Sequence, residues 1–468
     1  MAERAAPVPS PGSGFDLSRP RRVHVVGIGG AGMSAIATVL VAMGHAISGS
    51  DLKASPTLTR LGPAGVTVAV GHRADHVGDA EAVAISTAVP DTNPEVVEAR
   101  ARGIPVLHRA DILAAIAATR RTVAVAGTHG KTTTASMLAL TMVEAGLDPS
   151  FIIGGDLNEI GTGAVWGAGE WLAVEADESD GTFLALSPEV AVVTSIEADH
   201  LEHYGSFEAL VDAFDRFLAG LGRAGVVCAD YPVGARLAGA LGATTYGTAP
   251  TAAWRIVEVG GDRSHTSFDL EHDGSRTGQF SLPVPGLLNV RNATAAIVAG
   301  LAVGVGLEPA RSALARFAGV ARRFQFRGRR DGVTYVDDYA HLPGEVESIL
   351  AAAGQGRWDR VVCVFQPHRY SRTATLWADF ADAFVGADVL LVTDVYPAGE
   401  APRPGVSGQL VADAVRQAHP DREVAYVPTR EGLLDHLRGI LSAGDLCLTL
   451  GAGDLTTLPD DLLTGEGQ

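Results

Sequence analysis

Cysteine is scarce. Three thiols, Cys228, Cys363 and Cys447, lie far apart in a chain of 468 residues, each within an apolar strand-like run and none in a CxxC pair. That pattern excludes a disulfide framework and fits buried thiols in a reducing compartment. Positive charge is short as well. A formal net charge of −18 argues against a broad surface for nucleic acid or anionic membrane, because both partners recruit Lys and Arg. Any anionic ligand must therefore find a local positive pocket. Long hydrophobic runs are also missing: the most extended apolar stretch, Ala293 to Leu307, is rich in Ala and Gly, too short for a membrane span, and reads as a buried helix. The opening MAERAAPVPSPGSG lacks the basic region and apolar run of a secretory signal. A cytoplasmic protein with a flexible tail over residues 1–21 is expected.

What is present is core material. With 47% hydrophobic and 19% charged residues the chain has the composition of a globular protein and not of a disordered one. Its length exceeds what one hydrophobic core usually organises. Short Val-rich runs recur between Ala/Leu-rich helical stretches: VHVVGIG, AVAIST, TVAVAGT, WLAVEAD, VAVVTSI, GVVCAD, RVVCVF, VLLVTDV and DLCLTLGAG. Continuous apolar strands alternating with helices are the mark of parallel sheets covered on both faces. The expected fold is α/β in three domains with boundaries near Thr119 and Val320. Residues 22–119 form an N-terminal Rossmann-like unit. Residues 120–320 form a central P-loop ATPase-like parallel sheet. Residues 321–468 form a C-terminal Rossmann-like unit whose first strand begins at TYVDDYAH. Within the central unit, DLEHDGSRTGQFSLPV alternates around an Asp-Gly turn, as an antiparallel hairpin does.

Two strands run into glycine-rich turns. In VHVVGIGGAGMSAIA, Gly27, Gly29 and Gly32 have GxGxxG spacing between a strand and a helix, and acidic Asp51 follows the next strand. Such glycines allow a tight turn and close approach to a pyrophosphate, the helix N-terminus favours its charge, and the carboxylate accepts ribose hydroxyls. A dinucleotide and a UDP-sugar both satisfy this pattern, and a tight turn without ligand satisfies it too.

The second turn, TVAVAGTHGKTTTASML, places Lys131 and Thr132 at the start of a helix. Backbone N–H groups there can cradle phosphates, Lys131 can neutralise β/γ oxygens, and the Thr132 hydroxyl can reach Mg²⁺. The loop departs from GxxxxGK[ST], because Val125 stands where the first glycine belongs.

Acids collect beyond the next strands. WLAVEADESD carries Glu175, Asp177, Glu178 and Asp180, and VAVVTSIEADH carries Glu197, Asp199 and His200. Carboxylates near a triphosphate repel it unless a divalent cation intervenes, so the arrangement implies Mg²⁺. A hard cation prefers oxygen, which makes Glu175 the primary candidate ligand and His200 a secondary one. Each segment alone also reads as a solvated acidic loop.

The strings GIGGAGMS, SGSD, GTHGKTTT, EADESD, IEADH, NATAA, RRFQ, DDYAH, FQPHRYSRT, DVYPAGE and GAGD follow one another from Arg21 onward, and in this order the chain resembles the Mur ligase family, in particular its L-alanine-adding branch. The resemblance implies ATP-dependent joining of L-alanine to the lactyl carboxylate of UDP-N-acetylmuramate through an acyl phosphate. It implies that Gly27, Gly29, Gly30, Gly32, Ser50 and Asp51 hold the UDP-sugar. ATP falls to Gly127, Thr128, His129, Gly130, Lys131, Thr132, Thr133, Asn289, Arg323 and Asp338, with Lys131, Glu175, His200 and Arg323 as the catalytic set. Thr132, Glu175 and His200 would organise Mg²⁺, while Tyr339, His341, His368, Arg369 and Arg372 would grip the amino acid. Arg suits a carboxylate because its planar fork binds both oxygens. Leu288 and Leu342 stand where relatives commonly carry His, and VDAFDRFL lacks the lysine that other branches carbamylate.

Three other readings compete. A recycling ligase that attaches a preformed tripeptide to the same UDP-sugar would look similar over the first two domains. An NAD-dependent oxidoreductase would use GIGGAG and Asp51 but leave the second loop and the acids without a role. A catalytically silent nucleotide-binding regulator need not keep Lys131, Glu175 and His200 together.

Overall fold

The structure is a computed structural model that describes residues 15–464 apart from 87, 199–200, 262–264, 285, 355 and 357, and apart from the side chains of 201–202. Three sheets organise the chain. The first contains β1 (Arg22–Val26), β2 (Ala46–Asp51), β3 (Thr67–Val70), β4 (Ala82–Ile85) and β5 (Val106–His108), all parallel in the order β3-β2-β1-β4-β5. The order reverses at β1, so the crevice beyond its C-terminal end is where such sheets bind ligands. VHVVGIG supplies the buried central strand, followed by the helix Ala31–Ala42.

The second sheet contains β6 (Arg121–Ala126), β7 (Ser150–Leu157), β8 (Thr162–Val165), β9 (Trp171–Glu175), β10 (Val190–Val193), β11 (Ala224–Cys228), β12 (Thr244–Gly247), β13 (Trp254–Gly261), β14 (Thr266–His272), β15 (Ser275–Arg276) and β16 (Phe280–Leu282). The path runs β15-β14-β13-β12-β11-β10-β6-β9-β7-β8, with β16 against β14. Strand β6 lies between β9 and β10, parallel to both, and nearly every residue of the three is buried. Their C-terminal ends therefore deliver the second glycine loop and both acidic segments to one edge. The Asp-Gly hairpin is present: Glu271 pairs with Arg276 and His272 with Ser275 around Asp273 (φ 48°) and Gly274 (φ 72°). Two consecutive positive φ angles are what a two-residue turn between twisted strands requires.

The third sheet contains β17 (Gln325–Arg330), β18 (Val333–Asp338), β19 (Val361–Phe365), β20 (Val389–Val392), β21 (Glu423–Tyr426) and β22 (Leu446–Leu450), in the order β17-β18-β22-β19-β20-β21. It starts one strand earlier than TYVDDYAH suggests. QFRGRR pairs antiparallel with β18 as a polar edge strand, and its charges hide it from a search for apolar runs.

Two compact units result. One comprises residues 1–259, 267–281 and 289–317 and holds the first sheet with most of the second; the other comprises 260–266, 282–288 and 318–468 and holds the third. In the first unit a single cluster of buried side chains joins Ile36 and Leu40, behind the first glycine turn, to Val174 and Phe183 beside the acids. Within residues 15–21, read from sequence as part of a loose tail, Leu17 is buried in that cluster, Phe15 packs against it and Arg21 pairs with Glu81 at 3.2 Å, while residues 16 and 18–20 are exposed. The Ala293–Leu307 stretch falls on the buried helix Leu287–Val303 and the start of the next helix. All three cysteines are buried and free. Among the described residues no helix is long and apolar enough to cross a membrane.

Candidate active site

The chain leaves β6 at Gly127, turns through Thr128 and His129, and enters the helix Lys131–Glu144 through Gly130 in the left-handed region at φ 79°. A Cβ at Gly130 would collide with Asn292 Oδ1, so glycine is needed here for both conformation and space. Neighbouring strand ends hold the turn. His129 N–H donates to Ser195 Oγ at 2.8 Å, Thr128 N–H to the Ser195 carbonyl at 3.1 Å, and Glu197 N–H to Thr128 Oγ1 at 3.0 Å. Thr133 is part-buried on the first helical turn.

Lys131, one of two lysines in the chain, donates through Nζ to the Gly127 carbonyl at 2.9 Å and to Glu178 Oε1 at 2.7 Å. Burial works against its charge, but Glu178, Asp177 and Glu175 outweigh it and hold the ammonium protonated. Thr132 donates its hydroxyl to Glu175 Oε1 at 2.9 Å, and Gly154 N–H binds the other oxygen at 2.6 Å. A hydroxyl and a carboxylate oxygen side by side at a helix N-terminus form a hard-oxygen set suited to Mg²⁺, which keeps several waters and phosphate oxygens of its own. Among the described residues no group of three or more His, Cys, Asp or Glu could hold a metal ion by itself. His200, expected as a further ligand, lies outside the described residues together with Asp199.

The first glycine turn is built differently. Gly27 and Ile28 N–H donate to the Ser50 carbonyl at 2.8 and 3.1 Å, and Gly29 N–H donates to Asp51 Oδ2 at 2.8 Å. Gly30 caps the helix Ala31–Ala42 in an extended conformation, and Gly32 lies against the Arg109 guanidinium. Ser50, expected among the sugar-nucleotide residues, is fully buried and turns its hydroxyl inward, donating to Glu95 Oε2 at 2.6 Å. Glu95 is fully buried too, within 3.7, 3.2 and 2.9 Å of His24, His72 and His76. Burial raises its pKa, but the nearby His24 ring and hydrogen bonds with Ser50, His76 and Arg73 N–H prevail and bring it down to about 2. Ser50 thus supports the turn through its carbonyl and this buried network.

Asn289 lies on the first turn of the helix Leu287–Val303. Arg323 and Asp338 belong to the other unit. There Arg322 (φ 61°) and Phe324 (φ 43°) flank Arg323 in the left-handed region, strain of the kind that clusters at functional sites. Asp338 holds this loop: its oxygens accept from Phe324 N–H at 2.6 Å and Ala340 N–H at 2.7 Å. Burial pushes its pKa up to about 6 against the pull of Arg323. An adenosine contact from this carboxylate must share oxygens already committed to the backbone.

The same unit gathers Tyr339, His341, His368 and Arg372. Ring centroids lie 5.4 Å apart for Tyr339–His341 and 5.6 Å for His341–His368. Arg372 Nη1 lies 3.2 Å from His368 Nδ1, and burial, with His341, Arg372 and Arg369 adding to it, brings the His368 pKa down to about 4. A neutral His368 can therefore accept from the guanidinium. Arg369 is exposed at φ 70°, and Tyr396, which the sequence did not single out, stacks on His368 at 5.8 Å. Asn292, 3% exposed behind Gly130, was visible in sequence only as part of NATAA.

Comparison with known proteins agrees with this geometry. The Mur ligase family, catalytic domain matches residues 22–121, the Mur ligase middle domain 125–300, and the Mur ligase, glutamate ligase domain 322–453. A UDP-N-acetylmuramate--L-alanine ligase of Solidesulfovibrio magneticus is 49% identical over 96% of this chain and 99% of its own, and one of Rubrobacter xylanophilus is 49% identical over 94% and 99%. Among solved structures, the UDP-N-acetylmuramate-alanine ligase of Thermotoga maritima aligns with a TM-score of 0.81 at 29% identity, covering 95% of this chain and 99% of that one. A murein peptide ligase of Psychrobacter arcticus shares the fold with a TM-score of 0.69 at 24% identity over 95% and 98%.

Proposed function

This chain belongs to the Mur ligase family, and from that premise we propose that it joins L-alanine to UDP-N-acetylmuramate at the expense of ATP, in the cytoplasmic synthesis of the peptidoglycan precursor. The observation that carries the reading is near-full-length similarity to relatives of that activity. The second glycine loop supplies the chemistry such a ligase needs.

The reaction has two steps. A lactyl carboxylate oxygen attacks the γ-phosphorus of ATP, giving an acyl phosphate and ADP. The alanine amine then attacks the acyl carbon, expelling inorganic phosphate and leaving an amide. Since charge spreads over the transferring phosphoryl group, positioning and charge compensation are the main contributions a protein can make. Lys131 would hold β/γ oxygens once it exchanges Glu178 for phosphate. Thr132 and Glu175 would hold Mg²⁺, which when bound neutralises triphosphate charge. Arg323 is assigned to the same phosphates. Arg372, with Tyr339, His341, His368 and Arg369, is assigned to the alanine carboxylate, leaving the amine free to attack. Gly27, Gly29, Gly30, Gly32 and Asp51 are assigned to the sugar nucleotide, and Asn289 and Asp338 to the adenosine.

Phosphate release with ATP, Mg²⁺ and UDP-N-acetylmuramate tests the reading. Sustained release should require L-alanine. Faster turnover with the tripeptide L-Ala-γ-D-Glu-meso-diaminopimelate than with alanine would replace it by the recycling ligase, and NADH formation with no phosphate release would replace it by an oxidoreductase.

A further inference from the structure

Arg109 begins the helix Arg109–Ala117 and comes to lie between the first glycine loop and the acidic segment that follows β9. On one side, a Cβ built at Gly32 would stand 3.1 Å from Arg109 Nε and 3.4 Å from Cζ. The guanidinium thus rests on the first turn of the helix Ala31–Ala42, in space that any larger residue at 32 would fill. The third glycine of GxGxxG normally serves close packing of helix on strand; here its missing side chain makes room for an arginine. On the other side Nη1 faces Asp177 Oδ2 at 3.7 Å and Asp180 Oδ2 at 4.0 Å.

Both approaches are longer than a hydrogen bond. Each aspartate spends its other oxygen locally, Asp177 on Ser179 N–H and Asp180 on Thr182 N–H, both at 3.0 Å. They bracket the guanidinium electrostatically and leave its donors unused. Among the described residues, buried Nε has no hydrogen-bond partner. Leaving a buried donor of a charged group unmatched is costly, so such a group is best explained by a ligand that completes it. The helix turn it touches is the one whose free N–H groups favour phosphate. A forked cation with an idle Nε–H beside that turn suits a pyrophosphate, whose oxygens are spaced for more than one donor.

We propose that Arg109 is a further substrate-binding residue, donating to the pyrophosphate of the sugar nucleotide held at the first glycine loop. The proposal rests on the ligase reading, which supplies the sugar nucleotide. Asp177 and Asp180 orient the guanidinium toward the loop, and the absence of a side chain at Gly32 admits it. No local signal in LHRADIL marks this arginine, because the groups that define its place lie at positions 32, 177 and 180.

Calorimetric titration of wild type, Arg109→Gln and Arg109→Lys with UDP, UDP-N-acetylmuramate and ATP tests it. Arg109→Gln should weaken UDP and UDP-N-acetylmuramate alike by about 10- to 100-fold, the range for hydrogen bonds to charged groups. Arg109→Lys should recover part of that loss, and ATP affinity should stay within about twofold of wild type in both. UDP affinity unchanged in Arg109→Gln overturns the proposal even where UDP-N-acetylmuramate weakens, because the arginine then serves the muramyl end. Equal weakening of ATP overturns it as well, by assigning Arg109 to the second loop or to the fold at large. If Arg109→Gln does not fold, Arg109→Lys decides by the same comparison of UDP with ATP. Wild-type protein that binds neither UDP nor UDP-N-acetylmuramate overturns the ligase reading itself, a result distinct from a variant that binds both as wild type does.

Discussion

The two glycine loops share a topology and differ in charge. Each follows a buried parallel strand and opens a helix, β1 into Ala31–Ala42 and β6 into Lys131–Glu144. In the first, Gly29 N–H is held by the Asp51 carboxylate and the nearby cation is Arg109, which arrives from another helix. In the second, the cation is Lys131 on the first helical turn, with Thr132 and Glu175 beside it. Strand, turn and helix N-terminus make a phosphate site in either case. On the proposed reading, what divides binding from phosphoryl transfer is the added lysine, hydroxyl and carboxylate, which would compensate charge as it moves.

The largest expected break in this comparison is Lys131→Ala, which should lower ligation at saturating substrates by about 10²- to 10³-fold or more, as loss of a preorganised cationic donor does. Initial-rate assays check this, with a melting curve to exclude collapse around the buried Glu178. Glu175→Ala should raise the Mg²⁺ needed for half-maximal rate by about 10- to 100-fold. A Mg²⁺ titration reads the shift, and a curve unchanged from wild type removes Glu175 from the metal set.

Glycine substitutions sharpen the contrast. Gly130→Ala meets Asn292 Oδ1 and a φ of 79°, so roughly 1–3 kcal/mol of strain should appear as a higher KM for ATP. Gly32→Ala has no such φ and meets only the Arg109 side chain at 3.1 Å; its KM effect should be smaller and fall on UDP-N-acetylmuramate. Steady-state kinetics of both variants tests the crossing pattern, and the same KM raised in both would erase it. The last effect belongs to neither loop. Arg372→Lys keeps the charge but loses the fork, and should raise the KM for L-alanine by about tenfold while leaving that for ATP near wild type.

The elements that were legible from sequence are those where burial writes itself into composition. Strands β1, β6, β9, β10 and β22 are buried along nearly their whole length and read as predominantly apolar runs, the form parallel strands take. Strand β3 is half-exposed at the sheet edge and β17 carries arginines on an antiparallel edge, so neither shows that pattern. The second glycine loop was legible because Gly130, Lys131 and Thr132 are contiguous. Asn292 and Arg109 act across long sequence separations, against Gly130 in one case and Gly32 with Asp177 and Asp180 in the other. Only the folded chain brings such partners together. The bond from the Ser50 hydroxyl to buried Glu95 is likewise invisible in the SGSD string, because Glu95 lies far along the chain.

The division of ligands between the two loops is tested most directly by calorimetric titration of Lys131→Ala with UDP-N-acetylmuramate and, separately, with ATP and Mg²⁺. The account predicts that the sugar nucleotide binds within about threefold of wild type while ATP binding weakens by tenfold or more, as expected when a charge-assisted contact is lost. Loss of UDP-N-acetylmuramate binding with ATP binding intact would contradict it and exchange the roles of the two loops.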